Sequence, residues 1–195
     1  MNASVAGIIL AAGMGRRLGL GPKAFVSFEG ASLLEQAVAR LRRCGVAPIV
    51  AVLPPGPDPI DVPDELIVVR NADAASGPLG SASLGARALP STLQGALLYP
   101  VDHYAVSDQD LRCVLAMHPH VAPDESRIVP YWQGRGGHPV LLMNRALKAL
   151  REVVDPSTLI LRDVLDASGA ICRVEAASGG VRCNLNTSDD WPSEA

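Results

Sequence analysis

The chain has 195 residues, of which 48% are hydrophobic and 19% charged, and its formal net charge is −3. This length and composition predict one globular domain, 1–195, and exclude a disordered chain. With no basic block and no apolar run long enough to span a bilayer, the sequence argues against a nucleic-acid surface and a membrane span.

Short apolar runs alternate with helical patterns from the N-terminus onward. The first run is Val5–Leu10, which ends at a glycine-rich stretch. Apolar runs of this length predict strands. The further predicted strands are Ile49–Leu53, Leu66–Val69, Leu97–Val101, Ile128–Tyr131, Val140–Met143 and Ile171–Val174.

Helices are predicted between these runs. Ser32 with Glu35 three residues later matches a capping box, and apolar residues recur at helical spacing until Gly45. Further helices are predicted over Ser81–Leu89, from Ser107 to about Met117, and over Asn144–Val153 and Thr158–Ala167, with a loop at Asn71–Gly80. This alternation predicts an α/β fold with a mainly parallel, doubly wound (Rossmann-like) sheet and helices on both faces.

Three polar features follow predicted strands. They are the loop Ala11–Lys23, the loop Asn71–Ser83, and Asp102. Ligands of open α/β sheets bind beyond the carboxyl ends of the strands. We therefore expect these three features to form one site.

The first loop has the composition of an anion-binding turn. Small residues around Gly13 and Gly15 let backbone N–H groups approach an anion, and Arg16-Arg17 and Lys23 add positive charge. No G-K-S/T follows, which excludes a Walker A motif, and the spacing to Gly19 does not fit G-x-G-x-x-G. The alternative is a tight strand-to-helix turn with solvated arginines.

The stretch Leu10–Gly19, which reads L-A-A-G-M-G-R-R-L-G, together with Lys23 resembles the opening of nucleotidyltransferases that include the sugar-phosphate nucleotidylyltransferases. Within that superfamily the chain is most similar to the molybdenum-cofactor branch, the cytidylyltransferase- and guanylyltransferase-like (MobA-like) NTP transferases. The resemblance implies a fold of the nucleotide-diphospho-sugar transferase type. Its segments are Leu10–Lys23, Asn71–Leu84, Tyr99–His103, Gly136–Pro139 and Asn184–Thr187.

The resemblance also implies a metal site. The aspartate at the end of the strand, here Asp102, would hold Mg²⁺, a cation that prefers oxygen ligands. Asn184 or Asn186 stands where many relatives have an aspartate, and residues two apart on an extended segment face the same side. The alternatives are an aspartate that caps the following turn and a polar turn near the C-terminus.

The same resemblance implies catalytic and binding residues. Arg16, Lys23 and Asp102 would be catalytic, and His103 structural. The expected nucleotide and acceptor contacts are Leu10, Ala11, Ala12, Gly13, Gly15, Asn71, Gly80, Ser81, Ser83 and His138. An ordinary helix start is the alternative for Gly80 and Ser81.

The expected activity is the transfer of a nucleoside monophosphate from an NTP to a small phosphorylated acceptor. CTP and GTP are the favoured nucleotides, and a molybdopterin-type cofactor is one candidate acceptor. The alternatives are a sugar-phosphate or other small-phosphate nucleotidylyltransferase and a non-catalytic nucleotide-binding module.

The four cysteines form no C-x-x-C pair, which favours reduced thiols over a zinc site. Since no signal peptide is visible, we expect a cytoplasmic protein.

Overall fold

The structure, a computed structural model, describes residues 5–15, 21–57, 62, 66–73, 76–185 and 190. The apolar runs form strands because branched side chains pack well on both faces of a covered sheet. In the described residues the strands are β1 (Val5–Leu10), β2 (Ser27–Phe28), β3 (Ala31–Ser32), β4 (Ile49–Leu53), β5 (Leu66–Arg70), β6 (Gly95–Pro100), β7 (Glu125–Trp132), β8 (Arg135–Gly136), β9 (Val140–Met143) and β10 (Ala170–Glu175).

The helices of the described residues are α1 (Leu33–Arg43), α2 (Gly77–Ala88), α3 (Asp108–Ala116), α4 (Asn144–Glu152) and α5 (Leu161–Ser168). Capping boxes begin α1 and α3, where Ser32 and Ser107 accept from the third helical residue. Short 3-10 turns occur at Lys23–Phe25, His118–His120 and Gly179–Arg182. No helix in these ranges is long and apolar enough to cross a membrane.

One mixed, mostly parallel sheet forms the centre, with the strand order β10-β7-β9-β6-β1-β4-β5 and β8 paired to β7. β9 runs antiparallel to both of its neighbours, whereas β1, β4, β5 and β6 are parallel. Leu10 pairs with Pro100 at the carboxyl ends of β1 and β6. The loop after β1 therefore begins beside the turn that carries Asp102.

The helices cover both faces of the sheet. Alternate residues of β1 face opposite ways, so that Ile9 packs with α1 and α3, and Ile8 packs with α2 and α4. A Cβ on Gly85 of α2 would lie 2.4 Å from Ile8 Cγ2, so glycine permits the close approach of α2 to β1. Two apolar layers thus hold the carboxyl edge in place from both sides.

The structure confirms the predicted α/β architecture, although several strands differ by one to three residues from their predicted bounds and two helices begin elsewhere. α2 begins at Gly77 rather than Ser81, because Pro78 is favourable in a first helical turn and extends the helix toward the loop. α5 begins at Leu161 rather than Thr158. The antiparallel direction of β9 and the small β2–β3 hairpin are features that the alternation of strands and helices did not reveal.

Candidate active site

Lys23 and Asp102 meet across the carboxyl ends of β1 and β6. Lys23 begins the 3-10 turn after the glycine loop, and Asp102 follows β6. Lys23 Nζ donates to Asp102 Oδ2 at 2.7 Å, and the two side chains are only 15% and 19% exposed. Salt screens such a part-buried pair less than a surface pair. Two of the predicted catalytic residues therefore lie in contact, while Arg16 lies outside the described residues.

The two glycines of the first loop have different surroundings. Gly15 has φ +58°, and a Cβ there would lie 2.1 Å from the carbonyl oxygen of Gly21, so the loop requires glycine. Gly13 is exposed, and a Cβ there would have no neighbour within 4 Å among the described residues. The N–H of Lys23 donates to the carbonyl of Gly13 at 3.1 Å, which closes the loop. Gly13 thus lies exposed in a loop whose shape depends on Gly15.

The other residues of this stretch that were predicted to contact the nucleotide lie at the end of β1 or directly after it. Ala11 is fully buried, and its N–H donates to the Val52 carbonyl at 2.9 Å. Leu10 and Ala12 are half-buried on either side. These residues anchor the start of the loop to β4.

The stretch Ser178–Leu185, which we call the late segment, returns to the same edge. The N–H of Leu185 donates to the carbonyl of Asp102 at 3.0 Å, and Asn184 beside it is half-buried. The N–H of His138 donates to the Val181 carbonyl at 2.8 Å. The segment thus brings Asn184 next to Asp102 in the fold, while Asn186 lies outside the described residues.

Two histidines pack together behind Asp102. The rings of His103 and His138 are 4.8 Å apart between centroids, and the Val181 carbonyl lies near the ring of His103. Burial lowers the pKa of His103, and burial together with the nearby His103 lowers the pKa of His138 to about 4. Both rings are therefore neutral at neutral pH, which fits the structural role expected for His103.

Asn71 organises the loop before α2. Its amide nitrogen donates to the hydroxyls of Ser76 at 3.1 Å and Ser81 at 3.0 Å, and its amide oxygen accepts from the Asp73 N–H at 3.0 Å. A Cβ on Gly80 would lie 2.0 Å from Ser76 Oγ, so only glycine fits there. The predicted binding residues of this loop are thus brought together, and their polar atoms bond one another.

Ser83 lies one turn further along α2, and its hydroxyl donates to the Leu150 carbonyl of α4 at 2.8 Å. A cavity of about 180 Å³ opens beside this helix. It is lined by Asn71, Asp73, Ser76, Gly80, Ser83, Leu84, Arg87, Val153 and Pro156.

The structure also places a buried carboxylate near the site that the sequence did not indicate as functional. Asp110 is fully buried and accepts hydrogen bonds from Ser107 and from Ser178 of the late segment. The spacing of Ser107 and Asp110 is a capping-box signal. Nothing in the sequence links either residue to Ser178, 68 positions after Asp110.

Among the described residues, no three His, Cys, Asp or Glu side chains form a group that could hold a metal ion. Among the described residues at this edge, Asp102 offers a carboxylate and Asn184 an amide as candidate oxygen ligands. One carboxylate with a further oxygen donor fits Mg²⁺ at a nucleotide site, where phosphates and water complete the coordination.

Solved structures share this fold. Rv0371c from Mycobacterium tuberculosis H37Rv superposes with a TM-score of 0.77 at 19% identity, over 96% of each chain. The 2-C-methyl-D-erythritol 4-phosphate cytidylyltransferase from Thermus thermophilus superposes with a TM-score of 0.67 at 19% identity, over 96% of this chain and 95% of that one.

Sequence relatives cover less of the chain. Nicotine blue oxidoreductase from Paenarthrobacter nicotinovorans is 30% identical over 149 residues, which are 71% of this chain and 70% of that protein. The 2-C-methyl-D-erythritol 4-phosphate cytidylyltransferase of Deinococcus radiodurans is 53% identical over 64 residues, 32% of this chain and 27% of that protein. The model of the MobA-like NTP transferase domain family matches residues 7–171. This chain therefore belongs to the MobA-like NTP transferase family and is a nucleotidyltransferase.

Proposed function

We propose that this enzyme uses Mg²⁺ and transfers a nucleoside monophosphate from CTP or GTP to a small phosphorylated acceptor, with release of pyrophosphate. A molybdopterin-type cofactor is the first acceptor to test. The contact between Lys23 Nζ and Asp102 Oδ2, 2.7 Å across the carboxyl edge, carries the proposal. It joins a cation suited to phosphate with an anion suited to a metal ion.

The proposed metal ligands are Asp102 and one of Asn184 and Asn186. A solved structure of Rv0371c is described as a complex with manganese, and it superposes on this chain with a TM-score of 0.70 at 18% identity. That likeness supports testing a divalent cation here. When bound, the ion would reduce the negative charge of the triphosphate.

The chain's own groups would position the triphosphate and offset its charge. The open backbone at Gly13 would receive phosphate oxygens, and the ammonium of Lys23 would move from Asp102 toward them. Arg16 would add a second positive charge. Such positioning and charge stabilisation account for most of the catalysis in phosphoryl-type transfers.

The acceptor would supply the nucleophile. An oxygen of its ionised phosphate attacks the α-phosphorus of the NTP, the bond from that phosphorus to the bridging oxygen breaks, and pyrophosphate leaves. This step needs no general base because the attacking oxygen carries no proton. The neutral, buried pair His103 and His138 would shape the acceptor side of the site instead of exchanging protons.

The loop before α2 would form the wall of the nucleotide site. Asn71, Gly80 and Ser81 hold its shape through internal contacts, and the neighbouring cavity of about 180 Å³ offers room beside them. We therefore propose that these residues fit the base and ribose by shape, and that Ser83 supports α2 from behind.

The test is pyrophosphate release by Asp102→Asn. We expect a fall of about 10²–10³-fold, the size seen when a charge-stabilising group is removed. Asp108→Asn is the matched control, because it removes a carboxylate whose partner Arg43 is 55% exposed. Asp102→Asn with wild-type turnover would contradict the mechanism.

A panel of pyrophosphate-release assays identifies the acceptor and the nucleobase of the NTP. CTP, GTP, ATP and UTP are each combined with molybdopterin, sugar phosphates and 2-C-methyl-D-erythritol 4-phosphate, the last because of the local likeness to a cytidylyltransferase. Turnover with a sugar phosphate alone would favour the sugar-phosphate alternative. Nucleotide binding without pyrophosphate release from any pair would favour a non-catalytic module.

The Paenarthrobacter relative is named for a redox activity. An assay of nicotine blue turnover on the same preparation tests whether this chain shares it. Pyrophosphate release without turnover of nicotine blue is the result we expect.

A further inference from the structure

One buried carboxylate ties the late segment to α3. Asp110 accepts from the N–H and hydroxyl of Ser107 at 3.0 and 2.6 Å, and from the N–H and hydroxyl of Ser178 at 2.8 Å each. A carboxylate that is fully buried is costly unless donors surround it. The four donors therefore hold Ser178 firmly against the first turn of α3.

The donors from Ser178 have no part in capping the helix. The capping box of α3 is complete with Ser107 and Asp110. Ser178 instead uses its hydroxyl twice, since it donates to Asp110 and accepts from the N–H of Gly180 at 3.1 Å. It thereby fixes the start of the 3-10 turn that leads to Asn184.

The rest of the late segment is held at close quarters. A Cβ on Gly180 would lie 2.1 Å from the Ala105 carbonyl oxygen, so the backbone passes directly against the loop between β6 and α3. The Val181 carbonyl accepts from the N–H of His138, and the N–H of Leu185 donates to the carbonyl of Asp102. A shift at Ser178 would therefore move Asn184 relative to Asp102.

We propose that Asp110, acting through Ser178, is a positioning residue that holds Asn184 beside Asp102. The proposal rests on the proposed function, because it assumes that Asn184 and Asp102 share a divalent cation. Residues that orient metal ligands typically change metal affinity by 10–100-fold when they are removed. Ser178 would do so without touching the metal ion or the substrate.

The test compares two serines that each donate one hydroxyl hydrogen bond to the same carboxylate. Mn²⁺ affinity is measured by calorimetry, alone and with a CTP or GTP analogue that cannot react. We expect Ser178→Ala to weaken Mn²⁺ binding about tenfold. Ser178→Thr, which keeps the hydroxyl, retains the affinity. Ser107→Ala lowers the melting temperature through its lost cap and leaves Mn²⁺ affinity unchanged.

The two outcomes that matter are separable. Wild-type Mn²⁺ affinity in Ser178→Ala would overturn the positioning role and reduce Asp110 to a structural residue. The same loss of Mn²⁺ affinity in Ser107→Ala as in Ser178→Ala would also overturn it, because the effect would then not be specific to Ser178. Asp102→Asn and Asn184→Ala are measured in the same way. Unchanged Mn²⁺ affinity in Asp102→Asn would overturn the proposed function itself, whatever the serine variants do.

Discussion

Two glycines of the first loop, Gly13 and Gly15, have different roles although they are only two positions apart. Gly15 is required by the backbone, since φ is +58° and a Cβ would strike Gly21. Gly13 is exposed, and no described residue lies within 4 Å of a Cβ placed there. We propose that glycine stands at position 13 because a phosphate approaches the backbone closely there.

Alanine at each position separates these roles. Gly15→Ala should lower the free energy of unfolding by about 1–2 kcal/mol or more, because a side chain in the left-handed region is strained and here also collides. Gly13→Ala should keep the melting temperature and weaken NTP binding. Thermal unfolding and NTP titration measure the two effects. Unaltered NTP affinity in Gly13→Ala would remove the backbone of Gly13 from the proposed site.

At the scale of elements, α2 supports the loop that precedes it mainly by packing, and not all of its polar side chains face that loop. Asn71 donates to Ser76 just before the helix and to Ser81 in its second turn, and Gly85 brings the helix close to β1. Ser83 on its buried side bonds the Leu150 carbonyl and so links α2 to α4. The packed helices α2 and α4 thus support the loop that precedes α2.

Ser83→Ala tests this division of roles. We expect a loss of about 1 kcal/mol in the free energy of unfolding, the usual size for one buried hydrogen bond, with NTP affinity unchanged. Urea unfolding and NTP titration provide the measurements. Weaker NTP binding with full stability would instead return Ser83 to the nucleotide contacts predicted from the sequence.

At the scale of the whole molecule, the site is the place where distant parts of the chain converge. The β1 loop, the β6 turn and the late segment meet at one edge, where the rings of His103 and His138 are also in contact. Nδ1 of both histidines is buried without a hydrogen-bond partner among the described residues. Protonation of either ring would place a charge in a buried region, and the cost of burial outweighs the attraction of the nearby Asp102 carboxylate, so the pKa of both rings is lowered.

Stability should therefore fall in mild acid. The pKa of His138 drops from its ordinary value of 6.5 to about 4 in the folded chain, so the unfolded chain binds a proton first as the pH falls. This contribution is complete above about pH 6.5 and is lost toward pH 4, by as much as about 3 kcal/mol.

Urea unfolding from pH 7 to pH 4.5 measures the loss. His138→Gln should show a shallower decline than wild type, because glutamine does not titrate. His120→Gln, at an exposed position, is the control and should follow wild type. Parallel curves for His138→Gln and wild type would show that His138 does not contribute.

Local signals predicted much of this molecule. β1, β4 and β9 have the predicted bounds, and the cap of α1 forms as its Ser32-x-x-Glu35 pattern indicates. These features depend on neighbours in sequence, which a single chain displays. The start of α2 was misplaced by four residues because a glycine- and serine-rich stretch reads as a loop until packing makes it helical.

The sequence by itself determined the α/β class, the glycine loop, and the charged residues that follow two of its strands. Only the tertiary structure decided that Lys23 contacts Asp102, that the late segment returns to Asp102, and that Asp110 holds Ser178. The physical reason is range. Caps and apolar periods act over a few residues, whereas these contacts join groups 68 to 83 positions apart, which meet only when the sheet brings its carboxyl ends together.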